Sequence, residues 1–112
     1  MGAAAQAPVA HRMVPANGID VHLAEAGDGP PVILLHGFPE LSYSWRHQLG
    51  PLAAAGYHAV APDIRGYGRT TAPAAVEAYR MQKLVADVLG LLEALGEPTA
   101  SLVGHDWGAQ VA

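Results

Sequence analysis

The chain has 112 residues, of which 51 % are hydrophobic, and a formal net charge of −4. This is enough apolar material for one small domain, and a mild negative charge without a basic run gives no support to nucleic-acid or anionic-membrane binding. The absence of cysteine removes disulfides, thiolate chemistry and cysteine-ligated metals. No signal peptide or membrane span is indicated, so a cytoplasmic protein is expected.

The first part of the chain predicts a hairpin followed by a buried strand. Residues 1–11 are expected to form a flexible tail, since they lack hydrophobic periodicity. Strands are expected over 12–15 and 19–26, because the Asn-Gly dipeptide between them is a strong hairpin signal. Residues 32–35 form a continuous apolar run, which is typical of a strand buried on both faces of a sheet.

Further along, helices and strands alternate. A helix is expected over 44–55 and a strand over 58–61, followed by a loop over 63–75 that is rich in glycine and arginine. A last strand over 100–103 precedes the start of a helix. This order predicts an α/β fold with a hairpin, a mainly parallel sheet and flanking helices.

The clearest helix is predicted over residues 81–95, closed by Gly96. Its apolar side chains repeat at helical spacing and are expected to pack in the core: Met81, Leu84, Val85, Val88, Leu91, Leu92 and Leu95.

Near the end of the chain, residues 104–108 read Gly-His-Asp-Trp-Gly, with Asp106 where a serine hydrolase carries serine. The motif follows an apolar run, which predicts a strand, a sharp turn and a helix, the geometry called a nucleophile elbow. A carboxylate is ionised at neutral pH, because its unperturbed pKa is about 3.9, and needs no base to activate it. It suits attack on an sp3 carbon, followed by hydrolysis of the resulting ester.

Hydrolysis of an ester at Asp106 places negative charge on one oxygen, which two backbone N–H donors can stabilise. The elbow offers the N–H of Trp107, and the loop after the third strand offers that of Phe38. In that loop Gly37 leaves room for the backbone, and Pro39 fixes the direction of the chain. The side chains of Phe38, Pro39 and Trp107 are the candidates for a substrate pocket. The two loops share one site if their strands are neighbours, since ligands bind beyond the carboxyl ends of strands.

Three segments, taken together, resemble the α/β-hydrolase superfamily and, within it, the epoxide hydrolases. Residues 36–48 are similar to the family's oxyanion loop and first helix, residues 63–68 to its loop after the fourth strand, and residues 104–108 to its elbow. The resemblance covers residues 12–112. It implies the N-terminal portion of an α/β-hydrolase domain, truncated in the helix after the elbow and inactive by itself.

The resemblance also implies a reaction. Asp106 would open an epoxide by attack on a ring carbon, and water would hydrolyse the ester to a diol. A histidine oriented by an acid would activate that water, and two lid tyrosines would protonate the epoxide oxygen. In the family these groups follow the nucleophile, beyond Ala112, so no histidine or tyrosine of this chain receives those roles. The implied partners are an epoxide and water, with no cofactor and with the oligomeric state open.

Several alternatives remain. A haloalkane dehalogenase shares the Asp elbow and Trp107, although residues 38–40 (Phe-Pro-Glu) resemble the epoxide hydrolases more. A fluoroacetate dehalogenase is disfavoured because that group carries arginine where Trp107 stands. A non-catalytic fragment or binding relative is an alternative of another class, and Asp106 could be only a helix N-cap.

Other polar residues are expected to have structural roles. His36 and His105 could lie beside Asp106, but their spacing is not that of a metal motif, so no metal site is expected. Asp63 and Arg65 are expected to hold their loop by hydrogen bonds and charge pairing.

Overall fold

The computed structural model describes residues 9–112, so the predicted tail over residues 1–8 lies outside the described residues. The first two strands, β1 (Ala10–Ala16) and β2 (Ile19–Ala26), form the expected hairpin. β1 begins two residues before the predicted strand, because Ala10 and His11 already pair with β2. The prediction of a tail is therefore wrong for residues 10–11.

The remaining elements follow the predicted alternation of strands and helices. In chain order they are β3 (Pro31–Leu35), a 3-10 turn (Ser42–Trp45), α1 (Arg46–Ala54), β4 (His58–Pro62), a second 3-10 turn (Val76–Tyr79), α2 (Met81–Leu95), β5 (Ser101–Gly104) and α3 (Trp107–Val111).

The five strands form one sheet in the order β1-β2-β4-β3-β5. β3 runs parallel to both β4 and β5, whereas β2 is antiparallel to β1 and β4. The sheet is therefore mixed, with its parallel part at the β5 end. β3 lies between β4 and β5, which places the carboxyl ends of these three strands at one edge.

Helices cover both faces of this sheet. On one face, α2 and α3 contribute Leu84, Leu91 and Val111 to a core with the inward side chains of the strands. On the other face, Leu49 of α1 packs on a smaller core of alanine, valine and leucine side chains. All five residues of β3 are buried, as expected for a strand covered on both faces.

The helix predicted over 44–55 begins differently in the structure. A 3-10 turn starts at Ser42, and the α-helix begins only at Arg46. The 3-10 turn starts before the predicted helix because the N–H of Ser42 donates to the distant carboxylate of Asp63 at 2.8 Å. This hydrogen bond fixes the turn from outside the segment.

The helix predicted over 81–95 is confirmed at both ends, and Gly96 closes it with a φ of 73°. Its apolar face packs on the sheet, but Val85 is 36 % exposed, so its assignment to the core is wrong. The buried carboxylate of Asp87 was not foreseen. It accepts two hydrogen bonds from Arg65, at 2.7 and 2.8 Å, and one from Asn17 at 2.9 Å.

The Arg65–Asp87 pair anchors the loop after β4 to α2, and Arg65 also donates to the carbonyl of Ala78 at 2.9 Å. The hydrogen bonds to Asp87 hold the pKa of Arg65 above its usual range, even though burial opposes the charge. The expectation that Arg65 holds its loop by charge pairing is confirmed.

The longest helix between residues 9 and 112 has 15 residues. None of the described helices has both the length and the apolar character needed to cross a membrane.

β5 forms an edge of the sheet and is poorly covered. Leu102 and Val103, which point to opposite faces, are 41 % and 42 % exposed. Its outer backbone groups have no strand beside them within the described residues. An exposed apolar edge of this kind is a template for association with another chain.

We expect the purified 112-residue chain to associate, and not to form a stable monomer, because the β5 edge is open. Light scattering after size exclusion, with thermal unfolding followed by circular dichroism, measures this. Leu102→Lys should reduce the association, since a charge on an edge strand opposes pairing. A monodisperse monomer with a cooperative transition would contradict the prediction.

Candidate active site

The pairing of β3 with β5 brings the two predicted loops together. Leu35 is in register with Gly104, and the N–H of His105 donates to the carbonyl of Leu35 at 3.0 Å. The chain leaves both strands at the same edge. The expectation that their strands are neighbours is confirmed, and the two loops therefore lie side by side.

Asp106 stands at the tip of a sharp turn between β5 and α3. Its φ of 58° and ψ of −120° are unusual for a residue with a side chain and cost about 1–3 kcal/mol. Its side chain makes no capping hydrogen bond to α3, although it occupies the N-cap position. The N-cap interpretation therefore lacks its capping hydrogen bond, and the turn has the sharp strand-to-helix form that the motif predicted.

Close contacts explain why glycines flank this turn. A Cβ at Gly108 would lie 2.1 Å from the carbonyl oxygen of Leu35, so α3 can pack on β3 only with glycine there. A Cβ at Gly37 would lie 2.4 Å from the Cβ of Asp106. Both contacts lie far inside the van der Waals distance. Glycine thus allows the loop after β3 and the turn at Asp106 to approach each other.

The backbone N–H groups of Phe38 and Trp107 were expected to face Asp106. The N–H of Phe38 donates to Oδ2 of Asp106 at 3.2 Å. The N–H groups of Trp107 and Phe38, in that order of strength, hold the pKa of the Asp106 carboxyl below its usual range. The side chain is open to solvent and ionised at neutral pH. The hydrogen bond from Phe38 goes to Oδ2, and Trp107, whose N–H also acts on the carboxylate, directly follows Asp106 in the chain.

Glu40 links the two loops, a contact that sequence reasoning missed. Its Oε1 accepts the N–H of Gly37 at 3.1 Å and the Nδ1–H of His105 at 3.0 Å. The hydrogen bond from His105, followed by that from Gly37, holds the pKa of Glu40 below its usual range. The sequence signal was only the resemblance of residues 38–40, which does not identify the partner of the carboxylate.

His36 is buried and serves as a structural tie. Its Nε2 accepts the N–H of Ile64 at 2.9 Å, so its Nδ1–H donates to the carbonyl of Gly37 at 3.0 Å. Burial lowers the pKa of His36, and Tyr67 packs edge-on against the ring with centroids 4.9 Å apart. The neutral imidazole of His36 therefore joins the loop after β3 to the loop after β4.

Asp63 fixes the same edge of the sheet from the other side. Its carboxylate accepts hydrogen bonds from Ser42 N–H at 2.8 Å, His22 Nδ1–H at 2.6 Å and Arg69 N–H at 3.3 Å. Burial would raise the pKa of Asp63, but these donors hold it below the usual range. The expected structural role of Asp63 is confirmed.

The three pocket candidates lie around Asp106 but do not enclose it. Phe38 and Trp107 are 68 % and 50 % exposed, and Pro39, which follows a cis peptide bond, is also exposed. Their contact with a substrate remains a prediction. Among the described residues no three histidine or acidic side chains are grouped to hold a metal ion.

Comparison with known proteins places this architecture in a family. The family model for the alpha/beta hydrolase fold matches residues 30–112, which include β3, the loop after it and the turn at Asp106. The chain belongs to the alpha/beta hydrolase fold family.

Several similar proteins are named epoxide hydrolases. Epoxide hydrolase A of Mycobacterium tuberculosis is 56 % identical over 102 residues, covering 89 % of this chain and 32 % of that protein. Epoxide hydrolase 2 of Siraitia grosvenorii is 52 % identical over 104 residues, covering 93 % of this chain and 33 % of that protein. The chain spans about a third of the length of these relatives.

A solved structure supports the same relationship. The crystal structure of epoxide hydrolase VrEH1 from Vigna radiata matches with a TM-score of 0.90 and 54 % identity. The match covers 92 % of this chain and 32 % of that one. Fold and sequence are therefore similar over the same stretch of chain.

We expect Gly108→Ala to destabilise the fold by about 3 kcal/mol or more, because the added methyl group meets fixed backbone atoms. Urea unfolding of the full-length protein, meaning this segment continued to the length of its relatives, measures the change. Gln110→Ala on the exposed side of α3 is the matched control and should change stability by less than about 0.5 kcal/mol. Equal stability of the two variants would contradict the close packing at Gly108.

Proposed function

We propose that this segment supplies the nucleophile and the oxyanion hole of an epoxide hydrolase. The observation that carries the proposal is the Asp106 carboxylate at the tip of the elbow, with the Phe38 N–H on one of its oxygens. The names and high identity of the relatives support an epoxide as the substrate.

In the first step, Oδ1 of Asp106 attacks an epoxide carbon, and the C–O bond of the ring breaks. The carboxylate is ready for this attack, because backbone donors keep its pKa low and it carries charge at neutral pH. Oδ2 becomes the carbonyl oxygen of a hydroxyalkyl ester. A proton donor must supply the proton for the ring oxygen, and none of the residues described around Asp106 is assigned that role.

In the second step, water attacks Cγ of the ester, and the negative charge of the tetrahedral intermediate develops on Oδ2. The N–H groups of Phe38 and Trp107 would stabilise it, an effect worth about 3–4 kcal/mol per donor in comparable sites, and the hydrogen bond from Phe38 to Oδ2 supports this role. Collapse of the intermediate releases the diol and restores Asp106. A base and its acidic partner are required for the water, and we propose that they come from chain beyond Ala112.

A haloalkane dehalogenase is the alternative with the same nucleophile. It would need donors for a departing halide where an epoxide hydrolase needs an acid for an oxygen. Phe38, Pro39 and Glu40 resemble the epoxide hydrolases, and Glu40 is tied to both loops. The relatives favour the epoxide reaction.

The covalent step predicts where a water oxygen goes. In a single turnover of the full-length protein in 18O-water, the label should enter the Asp106 carboxylate, because the diol leaves with an oxygen of Asp106. Mass spectrometry of the peptide containing residue 106 measures this. Label found in the diol and not in the peptide would mean direct attack of water on the epoxide, which contradicts the covalent mechanism.

The substrate class can be tested separately. The full-length protein should convert an aryl epoxide such as styrene oxide to its diol and release no halide from 1-chlorobutane. Asp106→Ala should abolish turnover, whereas Asp106→Asn should recover slowly if its amide is hydrolysed in place. Diol analysis by chromatography and a halide assay measure the two reactions. Faster release of halide than formation of diol would favour the dehalogenase.

A further inference from the structure

A chain of polar side chains runs from His11 of β1 through His22 of β2 to the buried Asp63. Nδ1 of His11 lies 3.1 Å from Nε2 of His22, and Nδ1 of His22 lies 2.6 Å from Oδ2 of Asp63. The two imidazole planes are within 8° of parallel, with centroids 5.3 Å apart. Because the nitrogens are closer than the centroids, they face each other.

The contacts determine where protons can sit in this chain. Asp63 is ionised, since hydrogen bonds hold its pKa low, so it accepts the Nδ1–H of His22. The Nε2 of a neutral His22 is then an acceptor, and Nδ1–H of His11 donates to it. One added proton is tolerated, because His22 can donate from both nitrogens while His11 accepts at Nδ1.

A second proton is not tolerated in this geometry. With both imidazoles charged, each of the facing nitrogens carries a hydrogen, and two donors cannot share a gap of 3.1 Å. The surrounding charges add to the conflict. His11 and His22 line a cleft, and Arg46 of α1 and Arg69 of the loop after β4 line it as well. The carboxylate in this cleft is that of Asp63.

The other charged groups near the start of β1 are engaged elsewhere. Glu25 of β2 is paired with Arg12 of β1 and with His58 of β4, and its carboxylate faces away from this cleft. Burial opposes the charge of Glu25, but these partners hold its pKa below the usual range. Glu25 therefore offers no compensation for a doubly protonated histidine pair.

We propose that the His11–His22 contact is an acid-sensitive latch on the first residues of β1. Binding of a second proton separates the imidazoles and detaches the start of β1 from β2, and loss of that proton closes the contact. The sign follows from linkage, because the open form binds one more proton than the closed form. Opening therefore becomes more favourable as the pH falls.

Hydrogen–deuterium exchange on the full-length protein tests the latch between pH 8 and pH 5. After correction for intrinsic exchange rates, the opening constant of amides in residues 10–14 should rise as the pH is lowered through this range, by up to about tenfold per pH unit. His11→Gln should remove this dependence, because the amide can still donate to His22 but binds no proton. His47→Gln, at an exposed position on α1, is the matched control and should keep it.

Long-range proton–nitrogen spectra of the imidazoles give a second readout that is independent of activity. At pH 8 both His11 and His22 should carry their hydrogen on Nδ1. A pH-independent opening of β1 in the unmodified protein, or an unchanged pH dependence in His11→Gln, would overturn the proposal. So would a hydrogen on Nε2 of His22 at pH 8. None of these results depends on epoxide turnover, so the latch and the proposed reaction can fail separately.

Discussion

The parallel pairing of β3 with β5 is the interaction on which the candidate site depends. It places Leu35 beside Gly104 and so joins two segments that are far apart along the chain. The hydrogen bond from Phe38 N–H to Asp106 spans 68 positions of sequence and exists only because these strands are neighbours. The buried side chains of β3 supply the apolar contacts that hold this pairing in place.

Polar side chains hold in place the loops that follow the strands at the carboxyl edge of the sheet. His36 ties the loop after β3 to the loop after β4, and Asp63 ties the loop after β4 to the first helical turn. Glu40 ties the loop after β3 to the turn at Asp106. Each uses a charged or ring group to satisfy backbone N–H donors that leave the regular sheet. The carboxyl edge of the sheet is therefore held by directional contacts, and the core by apolar ones.

Much of this was predictable because it depends on local pattern. Apolar spacing, glycine positions and one motif predicted three features of the structure. They are the buried strand at 32–35, the helix at 81–95 and the sharp turn at Asp106. Features set by distant partners were not predictable. The early turn at Ser42 depends on Asp63, and the bridging role of Glu40 depends on His105, 65 positions away. The burial of Asp87 likewise follows from Arg65 and Asn17, whose proximity no periodicity in α2 reveals.

The two donors to Asp106 are backbone groups, whereas the side chains of the same residues, Phe38 and Trp107, extend into solvent. A substitution at either position can change the shape and polarity of the surface beside Asp106 without removing the N–H of the backbone. The exposed side chain and the backbone donor are thus separate properties of the same two residues. Sequence can vary on this surface while the backbone around the carboxylate stays constant.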